Sequence, residues 1–111
     1  MTTFDFKDGN GFVPAHRHSN GGGWVADTAH VEKTAYVGPD AQVFGSAWVS
    51  DTAQVSDSAL VFGSAEVSGN ARVSDSARVF GSARVFGSAR VFGSARVSDS
   101  ARVFGEAQVS D

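Results

Sequence analysis

Valine returns at every sixth position from Val25 to Val109 without a single slip in register. Alanine follows four places after each of the first fourteen of these valines, from Ala29 to Ala107, so the unit is Val-x-x-x-Ala-x. A period of six excludes an α-helix, which would scatter the valines around its surface. In Ala-x-Val the apolar residues sit two apart, and an extended strand sends both to one side. The three residues after each valine are mostly Gly, Asp, Ser, Asn, Thr or Pro, the chemistry of turns. Each hexad therefore reads as a short strand and a corner. Three hexads close a three-sided coil of 18 residues, and successive coils stack through parallel ladders about 4.8 Å apart.

Val-x-x-x-Ala-x resembles the aliphatic-x-x-x-small-x hexapeptide repeat of the bacterial transferase hexapeptide superfamily. The resemblance covers residues 25–111 and implies an all-β, left-handed, triangular parallel β-helix of about five coils. It lies with the repeat-only members rather than the acyltransferases, because no loop interrupts the array between residues 25 and 111. Residues 1–24 break the pattern. Thr3-Phe4-Asp5-Phe6-Lys7 alternates like a strand, 8–11 reads as a turn, and Phe12-Val13-Pro14 as a second extended piece before the Gly21-Gly22-Gly23 run. This segment is expected to cap the first coil or to act as an arm that pairs with a neighbour.

The corner position two after valine is Gly or Asp, with Lys33 and Pro39 as exceptions. Both residue types tolerate the left-handed backbone region that a tight corner demands. Each phenylalanine in the slot before it, Phe44, Phe62, Phe80, Phe86, Phe92 and Phe104, is followed by Gly. These rings should stack in lateral ladders: Phe44, Phe62 and Phe80 on one edge, Phe86 and Phe104 on another, Phe92 on the third. Exposed ladders would be contact surfaces between chains.

The outward residue between Ala and Val forms three columns. One carries His30, Trp48, Glu66, Arg84 and Arg102; the second Tyr36, Gln54, Arg72, Arg90 and Gln108; the third Trp24, Gln42, Leu60, Arg78 and Arg96. Net charge is -3, yet six of the nine basic residues are these late arginines, while most of the twelve acids come earlier. Arg72, Arg78, Arg84, Arg90, Arg96 and Arg102 would serve either as a soluble, edge-guarding surface or, as the alternative function, as a polyanion-binding module for nucleic acid or acidic polysaccharide.

Self-assembly is the leading expectation. The array runs through Val109 with no divergent capping sequence, and a bare β edge is a template for another chain. Head-to-tail stacking, giving a filament or homo-oligomer, would use Phe4, Phe6, Phe12 and Trp24 at one end and Val103, Phe104 and Val109 at the other, so the expected partner is the protein itself. No cofactor and no small-molecule substrate is expected, and the chain reads as a structural protein, not an enzyme. The resemblance leaves as a third reading a hexapeptide-type transferase, which would use a catalytic histidine, or a γ-carbonic-anhydrase-like metal site, for which His16, His18 and His30 are the weak candidates; no histidine follows residue 30. Absence of cysteine excludes disulfides and thiolate metal sites. With no signal peptide and no apolar run of the roughly 18 residues a membrane helix needs, a cytoplasmic location is expected.

Overall fold

The computed structural model describes residues 2–6, 9 and 11–110. Part of the expected Lys7 strand end and of the 8–11 turn falls on Lys7, Asp8 and Asn10, which lie with Met1 and Asp111 outside the described residues. The chain is all-β, a solenoid of about five turns. Strands β1 (Thr3–Asp5) and β2 (Phe12–Arg17) precede the array. The Trp24 face then stacks β3 (Trp24–Ala26), β6 (Gln42–Val43), β9 (Leu60–Val61), β12 (Arg78–Val79) and β15 (Arg96–Val97). The His30 face stacks β4 (His30–Val31), β7 (Trp48–Val49), β10 (Glu66–Val67), β13 (Arg84–Val85) and β16 (Arg102–Val103). The Tyr36 face stacks β5 (Tyr36–Val37), β8 (Gln54–Val55), β11 (Arg72–Val73), β14 (Arg90–Val91) and β17 (Gln108–Val109). All pairings within these stacks are parallel and join residues 18 apart, as Val67 with Val85 and Val49.

The interior is built from the repeat alone. Every array valine from Val37 to Val91 and every array alanine from Ala35 to Ala89 is fully buried. Burial of each valine stabilises by roughly 1.5–3 kcal/mol. The ladder does not stop where the strand ends: Leu60, Phe62 and Ser64 donate their N–H groups to Ala77, Val79 and Gly81 of the next coil at 3.0, 2.9 and 2.8 Å. Much of the corner backbone is thereby paired from coil to coil as the strands are, which helps two-residue strands to suffice.

Corners from Gly45 to Gly105 all sit in the left-handed region, at φ between 56° and 71°, whether the residue is Gly or Asp. Lys33 and Pro39, the sequence exceptions, are not among the left-handed residues, and proline's ring holds φ near −65°. The aspartates do more than tolerate the conformation. Asp51 Oδ2 accepts the Gly69 N–H at 3.0 Å, Asp57 Oδ2 the Asp75 N–H at 3.2 Å, and Asp75 Oδ2 the Gly93 N–H at 3.0 Å. Each carboxylate ties one corner to the corner below. Replacing Asp57 with Ala removes that bond and puts an unassisted Cβ in the left-handed region, so a loss of about 1–2 kcal/mol in urea unfolding is expected.

Candidate functional site

Three surface features gather the chemistry-bearing side chains: the leader over the first coil, the ring ladders on the corners, and the arginine columns.

The leader packs on its own chain. Strand β2 runs antiparallel to β3, with His16 opposite Val25, and β1 runs antiparallel to the first half of β2. This hairpin extends the Trp24 face to seven strands. Trp24 itself opens the first array strand rather than closing the leader. Phe6 stacks on Phe44 with centroids 4.8 Å apart, and Phe4 on Trp24 at 4.7 Å. In the 18-residue register the slot before Phe44 belongs to Ala26, whose methyl leaves the room that the Phe6 ring fills. Phe6 is buried there, packed within its own chain. Phe4 is half-buried, while Phe12 projects 73% exposed.

After the hairpin the chain crosses to the Tyr36 face. Val37 N–H donates to the Asn20 carbonyl at 3.0 Å, and Gly23 N–H to the Val37 carbonyl at 3.0 Å. This approach is so close that a Cβ on Gly21 would lie 2.2 Å from the Val37 carbonyl oxygen, and one on Gly23 2.3 Å from that of Gly38. Gly21 and Gly23 thus let two backbones touch, while Gly22 between them has open space and a left-handed φ of 81°. Two of the three faces are covered in this way. On the third, β4 is the outermost strand, with no strand on its far side among the described residues.

The histidines do not converge. His16 Nδ1 lies 2.7 Å from Asp27 Oδ1 in a half-exposed surface pair. His18 is buried, and its Nε2 lies 2.8 Å from the Ala35 carbonyl oxygen; a carbonyl only accepts, so that nitrogen carries the proton. His30 lies against Trp48 on another face, with ring centroids 4.4 Å apart. Antiparallel pairing of β2 with β3 separates them, and no group of three or more metal-ligating side chains occurs among the described residues. His16, His18 and His30, the weak metal candidates, each have a separate local partner.

Phe44, Phe62 and Phe80 stack at 4.8 and 5.0 Å, and Phe86 and Phe104 at 5.3 Å. Phe44 is buried, Phe62, Phe80, Phe86 and Phe92 are half-buried, and Phe104 is exposed. At the last rungs Val103 is buried, Val109 half-buried and Ala107 exposed. Strands β15, β16 and β17 are each the last of their sheets among the described residues.

All six arginines of the columns are exposed and pair by register: Arg72 with Arg90, Arg78 with Arg96, Arg84 with Arg102. Only Arg84 has a carboxylate nearby among the described residues, Glu66 at 3.9 Å. Sequence reasoning missed a notch of about 250 Å³ on the Tyr36 face, lined by Arg72, Ser74, Arg90, Phe92 and Gln108. The signal was present in the register, because Ser74 stands 18 residues before Phe92 where other edges carry a second ring.

Fold and surface define a β-solenoid structural repeat protein. A family model described as the YdcK β-solenoid repeat matches residues 65–81, the stretch holding β10, β11 and β12. None of the curated proteins and none of the solved structures compared with the chain matches it. No helix of the described residues is long and apolar enough to cross a membrane.

Proposed function

We propose that the protein is a non-catalytic structural rod that joins further copies of itself end to end. One observation carries the reading: among the described residues the leader covers β3 and β5 and no strand pairs with the outer edge of β4 between them. His30 and Glu32 spend their N–H groups on Ala47 and Val49, both at 2.9 Å. Ladder alternation then turns the Val31 N–H and C=O away from β7, toward the open side. A bare edge of this kind is a template for another strand. The proposed occupant is an edge strand of a second copy, lying parallel to β4 so that it continues the ladder of the His30 face. Contact between unlike surfaces propagates as an open filament unless rotation closes it into a ring.

The hand of the coil is read as left-handed, on the resemblance of Val-x-x-x-Ala-x to the hexapeptide repeat. A right-handed trace in an experimental density map would overturn that part alone.

Val31→Pro tests the assembly. Proline removes the N–H that faces the open side but none that bonds to β7. The wild-type protein is expected to show concentration-dependent mass in light scattering and rods in negative stain, and the variant to remain a folded monomer with an unchanged circular dichroism spectrum. Monomeric wild-type protein at high concentration, or a variant that assembles equally well, would sink the reading.

A further inference from the structure

We propose that the notch over Phe92 on the Tyr36 face is a binding site for a nucleotide unit, a planar base joined to a phosphate, independent of any assembly through the ends. Three observations meet there. The first is an unfilled rung in a ring stack. Phenylalanines on the other two edges stack on one another at 4.8 to 5.3 Å, but Phe92 has Ser74 above it and Ser110 below and no ring partner among the described residues. Where a neighbouring ring would lie over Phe92 there is instead an open notch, and Ser74 and Phe92 form part of its wall.

The second is the charge beside the gap. Arg72 and Arg90 are register partners on adjacent strands, so their side chains rise from points about 4.8 Å apart. Like charges directly opposite on one sheet face are unfavourable, and no carboxylate lies within 4.0 Å of either among the described residues. On the His30 face Glu66 stands above Arg84, and on the Trp24 face Leu60 stands above Arg78 while Phe62 already stacks on Phe80. Among the described residues only the Tyr36 face offers an acid-free arginine pair next to a ring with no stacking partner. Two guanidinium forks at that spacing can converge on one phosphate and relieve their mutual repulsion.

The third is the polar rim. The Ser74 hydroxyl and the Gln108 amide also line the notch, and between them they supply donors and acceptors for a base edge. The combination of a stacking ring with flanking cations is the physics by which single strands and nucleotides are held without sequence readout. An acidic polysaccharide would satisfy the arginines but has no planar ring for Phe92, and for that reason the nucleotide is favoured.

Amide and methyl shift titrations of the full chain test the site with three probes: inorganic phosphate, thymidine 5′-monophosphate, and an oligothymidylate of about 12 nucleotides. Shifts should centre on Arg72, Ser74, Arg90, Phe92 and Gln108. Phe92→Ser, which recreates the Val67-Ser68-Gly69 pattern found elsewhere in the chain, should weaken the monophosphate roughly tenfold and leave inorganic phosphate unchanged. Arg72→Gln with Arg90→Gln, which continues the column of Gln54 and Gln108, should weaken both and lower the salt slope for the oligonucleotide by roughly 1.4. Arg78→Gln with Arg96→Gln should change neither. If the oligonucleotide binds no tighter than the monophosphate, the ligand is a free nucleotide; if it binds tighter, a single strand. Shifts spread evenly over all three arginine pairs, an unaltered monophosphate affinity in Phe92→Ser, or no shift with any probe would each overturn the proposal.

Discussion

Val67→Asp is expected to unfold the protein at neutral pH. Val67 is fully buried in the middle rung of the His30 face, with Val49 above it and Val85 below. Nothing in that column can pair with a carboxylate, since every neighbour inside the tube is a valine or alanine side chain. An unpaired charge in such surroundings costs several kcal/mol, comparable with the roughly 5–15 kcal/mol of a whole domain. A solenoid feels this more than a globule does, because each rung touches only the rungs beside it and a broken rung divides the stack. Val67→Thr keeps the shape and buries only a hydroxyl, so it should cost about 1–3 kcal/mol. Val109→Asp should change little, because Val109 is only half-buried. Urea unfolding followed by circular dichroism separates the three, and a Val67→Asp protein as stable as Val109→Asp would show that the valines do not line a closed interior.

The second large effect comes from one corner and has opposite signs for two side chains. Gly69 has φ of 66°, and a Cβ placed on it would lie 3.0 Å from both the backbone nitrogen and the carbonyl oxygen of Gly87. Valine there combines the left-handed penalty of about 1–2 kcal/mol with a β-branched contact against backbone that cannot move without breaking the ladder. The expected loss for Gly69→Val is about 3 kcal/mol or more, a melting temperature lower by roughly 10 °C or more. Aspartate meets the same space, yet Asp51, Asp57, Asp75 and Asp99 already hold this conformation at φ of 56° to 59°. Its carboxylate can accept the Gly87 N–H as Asp51 accepts that of Gly69. It also completes the Ser-Asp pairing seen in the other serine corners, and it reduces the freedom of the unfolded chain. Gly69→Asp should therefore be neutral or stabilising by a few tenths of a kcal/mol. Differential scanning calorimetry on the pair decides the matter. Equal losses for Val and Asp would mean that volume alone, not backbone conformation with a matching acceptor, governs the corner.

These expectations follow the part of the structure that was legible in the residues. The array repeats one local rule fifteen times, so a valine such as Val61 could be placed inside, opposite Val43 and Val79, from spacing alone. The columns of outward residues and the edges of the ring ladders follow from the same 18-residue register. Left-handed corners were legible because only Gly and Asp recur there.

The leader was not legible in the same way. Its contacts occur once, and they depend on an antiparallel register between β2 and β3 that no periodicity announces. Phe6 is the clearest case. Its place is set by an absence 20 residues later, the small side chain of Ala26 in a slot where Phe44 and Phe62 carry rings. The histidines illustrate the same limit: His16 and His18 stand two apart in sequence, yet one meets Asp27 at the surface and the other the buried carbonyl of Ala35.

Scalar couplings transmitted through hydrogen bonds, read by NMR between an amide nitrogen and a carbonyl carbon, test the stacked three-sided coil at its root. The ladder requires Leu60 to couple to Ala77, Glu66 to Ala83 and Arg72 to Ala89, one on each face and each across bonds of 2.9 to 3.0 Å. Finding all three at that common offset confirms the 18-residue coil. Couplings at another offset, or amides on these faces that exchange with solvent as freely as an open strand, would contradict it.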